Sequence, residues 1–341
     1  MRIGFTYDLR NDYLAKGYTK EETAEFDCPE TIDGITSALE NMGFEVERIG
    51  NVQQLVRNLA IGNRWDFVFN ICEGLRGGAR ESVVPALLEA YDIPFCFSSP
   101  LTLAVCLDKG LTKRILCDHN VSTAKFEVVK TMDDAKKVNL NFPVFVKPVA
   151  EGTGKGINSA SCVKNSKQLI RTCAKLLKRF NQPVIVESYL EGREFTVGVV
   201  GNGEKAQVIG VMEIILGKKA DAIGYSYENK EKYEDRVTYR LVDDPEAQLA
   251  AKTALDAWRL LDCRDGGRVD LRSDKYGIPH FLEVNPLAGL NPTRSDLVIM
   301  ANMTGMTFNE LIKRIVTASL ERHGIYHSTE QVEPLKHICA S

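Results

Sequence analysis

The first hundred residues alternate between two periodicities, and that alternation narrows the fold more than any other feature. RIGFTY (2–7), FEVERIG (44–50) and WDFVFNIC (65–72) are short apolar runs with strand propensity. Between them, Ile32, Ile35, Leu39 and Met42 fall on one helical face, and Gly43 ends that segment. A helix-like stretch, ESVVPALLEAY (81–91), then leads to a further strand-like run, IPFCFS (93–98). Strands separated by helices read as an open parallel sheet with helices on its faces, so an α/β fold is expected, with this first unit ending near residue 105.

The pattern then changes. FPVFVKPV (142–149) is a buried-strand run followed by a glycine-rich turn, a helix over about 166–179 and another strand run, PVIVESYL (183–190). Residues 196–214 read as two strands around Gly-Asn-Gly, and 267–285 as a strand pair turning at Asp274 to Gly277. Residues 217–236 are polar and rich in Tyr and Gly, which suggests a mobile loop. A last helix starts at Thr307, with Glu310 placed for a capping box and Phe308, Leu311, Ile312, Ile315 and Val316 on one face. The expected division is 1–105, 106–186 and 187–328, with 329–341 a loose end.

Composition rules out several function classes. The chain has 341 residues, which calls for two or three packed domains. Its 43 basic and 46 acidic side chains leave a net charge of −3, so nothing favours nucleic acid or an anionic membrane as partner. No apolar stretch approaches the roughly 18 residues a membrane span requires. Nine cysteines include no CxxC pair, and no targeting segment precedes the first strand, so reduced thiols and a cytoplasmic location are expected. Cys72 reads as a small buried hydrophobe rather than a reactive thiol, and His119 and His280 carry no partner pattern.

Four elements carry chemistry. Asp270 lies on one strand, and Glu283 and Asn285 lie two residues apart on the next, so a hairpin would gather three hard oxygen donors suited to magnesium. Arg268 faces the same side as Asp270, either as a plain salt bridge or to neutralise developing charge. Lys147 precedes Glu151-Gly152-Thr153-Gly154-Lys155-Gly156, a loop able to fold over phosphates or simply a flexible turn; it is neither a Walker A loop nor GxGxxG. Glu187, Ser188, Tyr189, Leu190 and Glu194 follow a buried strand, placed to read an adenine edge and a ribose or to be surface carboxylates. Lys109, in LDKGLTK (107–113), could reach phosphate or sit at a solvated helix start.

In this order and spacing, the four elements resemble the ATP-grasp superfamily, and within it the D-alanine–D-alanine ligases, over roughly residues 100 to 320. The resemblance implies an ATP-grasp fold behind an N-terminal open parallel α/β domain. It implies ATP and two magnesium ions, with manganese able to substitute. Lys109 and Lys147 would contact phosphate beside Glu151, Gly152, Thr153 and Gly154. Glu187 and Leu190 would meet adenine, and Glu194 the ribose. Asp270, Glu283 and Asn285 would hold the metal, while Arg268 and the Gly289 amide would steady an oxyanion. Lys232 and Tyr233 resemble the Lys-Tyr of the family's mobile loop, and Thr153 stands where the family has a serine that bonds that tyrosine. A homodimer is also implied.

The substrate half departs from the family. Its N-terminal Gly-Gly-x-Ser-x-Glu-x-Glu signature is absent, as is the histidine near a glycine-rich loop of the first domain. Here Asn70-Ile71-Cys72-Glu73-Gly74 stands there instead. After Asn285 the chain reads Pro286-Leu287-Ala288-Gly289, and Asn291-Pro292-Thr293-Arg294-Ser295 replaces a serine-rich segment. Glu73 is a candidate for a substrate amine, or forms a salt bridge with Arg76 or Arg80. Arg294, beside Ser295, either clamps a substrate carboxylate or is a helix-end charge. The expected activity is an ATP-dependent ligase that activates a carboxylate as an acyl phosphate and passes it to an amine, both partners being small molecules such as amino acids. Three rivals share the fold: a ligase with other substrates, a nucleotide-binding protein without turnover, and a phosphotransferase that stops at the phosphorylated acceptor.

Overall fold

In the computed structural model, residues 1–217 and 237–325 are described. The expected mobile loop with Lys232 and Tyr233, and the expected loose end, lie outside them. Strand β1 (Arg2–Tyr7) runs between β2 (Glu45–Gly50) and β3 (Phe67–Ile71), parallel to both. The run at 93–98 is not a strand. It makes one bridge, with Val68 N–H donating to Pro94 O at 2.8 Å and Cys96 N–H to Val68 O at 2.9 Å. Phe97 then takes φ 76° and donates its N–H to Asp265 Oδ2 at 2.7 Å, which carries the chain off the sheet.

Two antiparallel sheets follow. The four-stranded one has order β4-β7-β5-β6, from β4 (Phe126–Val129), β5 (Val144–Pro148), β6 (Cys162–Val163) and β7 (Val184–Ser188). The helix Ser166–Phe180 covers it with Leu169, Cys173 and Leu176. The five-stranded one has order β10-β9-β8-β11-β12, from β8 (Glu194–Val200), β9 (Gln207–Leu216), β10 (Val237–Leu241), β11 (Gly266–Ser273) and β12 (Pro279–Asn285). Behind it lies the helix Pro245–Leu260, an element beyond those anticipated from the sequence. Its buried Ala247, Ala250, Ala251, Ala254 and Ala257 let helix and sheet approach closely. Gly267 belongs to the same contact, because a Cβ there would lie 2.8 Å from the ring of Trp258 on that helix.

The helix Phe308–Arg322 begins as expected, with Thr307 Oγ1 accepting from Glu310 N–H at 3.2 Å. The capping box is half-made: the Glu310 carboxylate accepts from Arg314 instead. Leu311, Ile312, Ile315 and Val316 of the predicted apolar face are buried and Phe308 is partly so; they join Ile3, Phe5, Ile32 and Ile35 to Ile209, Leu297 and Met300 in one core.

Candidate active site

The two antiparallel sheets face each other across a cleft. Lys109, Lys147, Glu151, Gly154, Glu187, Leu190, Glu194, Asp270 and Glu283, named from sequence, all line it. A second cavity adjoins it, sharing Lys109, Glu151 and Glu283 as wall and adding Gly152, Thr153, Arg268, Asn285, Gly289 and Glu73. Arg294 and Ser295 line neither. Arg294 Nη2 donates to Cys28 Sγ at 3.1 Å, and Ser295 Oγ accepts from Asn291 N–H at 2.8 Å.

The hairpin sets the donors. Arg268 pairs with Asn285 and Asp270 with Glu283, so all four side chains meet at one end of β11 and β12. Asp270 accepts from Thr196 Oγ1 at 2.8 Å, from Arg268, and from Asn285 Nδ2 at 3.4 Å. Glu283 Oε2 stands 3.2 Å from Lys109 Nζ, which also donates to Glu151 O at 2.7 Å. Arg268 has Asp296 3.8 Å away on its other side, and its two acidic neighbours keep it charged against burial. Among the described residues no three Asp, Glu, His or Cys side chains form a metal cage. Two carboxylates and an amide oxygen do fit a hard ion that keeps water and phosphate oxygens for its remaining positions.

Deeper in the cleft, Glu187 is buried rather than on the surface. Its Oε1 lies 2.7 Å from Lys113 Nζ and its Oε2 3.0 Å from Lys147 Nζ. Burial disfavours its charge, yet the two lysines hold its carboxyl down at about 2. Lys113, passed over in the sequence, is wholly buried and also donates to Thr123 Oγ1 at 2.7 Å and Phe281 O at 2.8 Å. Nearby, Arg272 lies 3.6 Å from Glu194 and stacks over Tyr189 at 5.1 Å.

The second cavity has a different balance. Glu25, Glu73 and Glu81 all line it. Arg80 binds Glu25 at 3.0 Å and leaves Glu81 at 3.9 Å, so the salt bridge considered for Glu73 does not form. Burial, with Glu81 and Glu25 alongside, pushes the Glu73 carboxyl well above the usual range. Burial raises Glu81 to about 7 despite Arg80, and it raises Asp27 nearby to about 7 as well. Sequence reasoning missed Glu25 and Glu81 because no spacing links them to the loop they approach.

Comparison with known proteins bears on the family and the fold. Residues 116–317 match the family described as "D-ala D-ala ligase C-terminus". The D-alanine–D-alanine ligase of Bordetella petrii is 30% identical over 289 residues, covering 83% of this chain and 85% of that one. The Bacillus anthracis D-alanine–D-alanine ligase, solved in complex with ATP, superposes with a TM-score of 0.70 at 21% identity, covering 95% and 99%. The VanG D-Ala:D-Ser ligase of Enterococcus faecalis does so at 0.72 and 18%, covering 93% and 99%. Fold and cleft thus define an ATP-grasp enzyme, an ATP-dependent, ADP-forming ligase. The chain belongs to the D-alanine–D-alanine ligase family, as the family match and the relative at 30% identity establish.

Proposed function

We propose that this chain joins a carboxylate to an amine, with ATP in the first cleft and the two organic substrates in the second cavity. Its carrying observation is that Lys109, Glu151 and Glu283 wall both cavities, so a phosphate in one lies against a carboxylate in the other. Lys109 and Lys147, with Glu151, Gly152, Thr153 and Gly154, surround the phosphates. Glu187 and Leu190 border the adenine and Glu194 the ribose. Asp270, Glu283 and Asn285 would hold two magnesium ions, or manganese in their place. That metal, when bound, neutralises phosphate charge as the γ-phosphoryl group moves. One oxygen of the first substrate's carboxylate attacks the γ-phosphorus in line, ADP leaves, and an acyl phosphate remains. The amine then attacks the acyl carbon and loses a proton, and inorganic phosphate departs with the C–O electron pair. Arg268 and the Gly289 amide balance the oxyanion between those two events, and Glu73 takes a substrate ammonium. The same proposal divides the chain at about residues 105 and 186 and makes it a cytoplasmic homodimer.

In the first reading both substrates are D-alanine, as for the Bordetella petrii relative, whereas a second reading keeps this chemistry with other amino acids or peptides. It is favoured by Arg294, which turns to Cys28 instead of lining the cavity. Phosphate release from ATP and magnesium, measured against single and paired amino acids including D-alanine, decides between them. Stimulation by D-alanine alone, with dipeptide formed, supports the first. An inert D-alanine beside an active acid–amine pair supports the second. Release that needs no amine would instead identify a phosphotransferase, and no release with any pair would sink both ligase readings.

A further inference from the structure

Glu25 lies in the segment between the helix Arg10–Leu14 and the helix Pro29–Asn41. That segment is pinned to the first unit. Arg10 donates to Thr23 O and Ala24 O, Asp27 and Asp8 share a backbone bond, and Phe26 packs on Tyr13 with ring centroids 4.5 Å apart. From there Glu25 reaches across to the glycine-rich loop. Its Oε1 accepts from Gly152 N–H at 2.8 Å and its Oε2 from Lys155 Nζ at 2.9 Å. Arg80, also from the first unit, binds both Glu25 oxygens at 3.0 and 3.1 Å and Ala150 O at 2.8 Å. Lys155 closes the group by pairing with Glu151 at 2.8 Å. The fit is tight: a Cβ on Gly152 would lie 2.4 Å from Glu25 Oε1.

The loop it grips is strained. Thr153 takes φ 49° and Gly154 φ 72°, and a non-glycine residue in the left-handed region costs energy that neighbouring contacts must offset. Glu25 supplies such contacts immediately before Thr153. Burial opposes its ionisation, but Arg80 and Lys155 hold its carboxyl below the usual range, so the grip persists at neutral pH. Glu25 also lines the second cavity.

We infer that Glu25 is a positioning residue that presets the phosphate loop from the first unit, coupling nucleotide affinity to the docking of residues 18–28. This rests on the proposal that the loop receives ATP phosphates. It adds that the loop's shape is held by a residue 127 positions away in sequence. Coupling is reciprocal, so nucleotide binding must in turn steady residues 18–28.

Calorimetric titration of the whole chain with ADP and magnesium separates the two ideas. A wild type that binds no nucleotide overturns the ATP assignment itself. If the wild type binds, Glu25→Gln should raise Kd about tenfold, within the usual span of coupling effects, and Glu25→Asp should recover part of the loss. An unchanged Kd in folded Glu25→Gln overturns the inference. Gly152→Ala should weaken binding in the wild type and add nothing in Glu25→Ala, where the clash is gone; equal effects in both backgrounds also overturn it. Should the Glu25 variants not fold, hydrogen exchange of the wild type decides. Amides in 18–28 slow on adding nucleotide if Glu25 couples the two, and unaltered exchange rules the coupling out.

Discussion

The two halves of the cleft treat charge in opposite ways. In the half proposed to take the nucleotide, every buried charge named above has a close partner of opposite sign: Glu187 lies between Lys113 and Lys147, Lys109 against Glu283, and Arg272 against Glu194. In the other half, carboxylates crowd one another. Glu73 has Glu81 and Glu25 as its strongest charged neighbours, and Glu81 has its nearest guanidinium at 3.9 Å. A site for a ligand of fixed chemistry can be built rigid and neutralised in advance. A site that accepts an ammonium group can hold crowded carboxyls protonated until the ligand's own cation favours their ionisation.

Four experiments test this contrast. The largest effect is expected from Glu283→Gln, which should cut ATP-dependent phosphate release about a thousandfold, ~4 kcal/mol in the barrier, with circular dichroism unchanged. Unimpaired turnover would remove Glu283 from the metal set. Lys113→Met leaves a buried carboxylate with one lysine instead of two. Denaturant unfolding should show a loss of about 3 kcal/mol, as for other broken buried pairs. A neutral result would mean that the pairing in the nucleotide half does not matter to stability.

The third experiment probes the crowded half through pH. Glu81 has its folded carboxyl raised to about 7 from 4.5. A raised acid stabilises the fold fully below its unfolded value, and that contribution is lost as pH rises through the folded value. Wild-type stability should therefore fall between about pH 5 and 8 relative to Glu81→Gln, by on the order of 1–3 kcal/mol. Parallel pH profiles would show that Glu81 is not crowded in solution. The smallest effect belongs to Arg179→Ala, which removes an exposed pair with Glu21. Exposed pairs are worth under about 1 kcal/mol, and a larger shift in melting would give this contact between Glu21 and the helix Ser166–Phe180 an unexpected share of the stability.

The same contrast explains what the sequence could tell. The nucleotide half is written in short spacings on strands. Arg268 and Asp270, or Glu283 and Asn285, lie two apart on a pleat, and pairing the strands brings all four together. The glycine-rich loop follows the end of β5, and Glu187 lies near the end of β7. Even there, the burial of Glu187 and the part taken by Lys113 required the packed sheets. The substrate half has no such local code. Glu25 reaches Gly152 across 127 residues and Arg80 across 55. Its segment holds neither helical nor strand periodicity, with Thr23, Ala24 and Phe26 buried beside it. The run at 93–98 misled for a related reason: its residues suit a strand, and a distant carboxylate, Asp265, turned the backbone away.

The helix Phe308–Arg322 completes a core that begins with Ile3 and Phe5. On a ribosome, Ile3 through Leu39 emerge roughly 270 residues before Leu311, an interval of about 15–55 s at ordinary elongation rates. During that wait the outer face of the helix Pro29–Asn41 has no permanent cover. A chain that stops short of residue 308 would therefore leave Ile32, Ile35 and Leu39 without the cover that Leu311, Ile312, Ile315 and Val316 give that core.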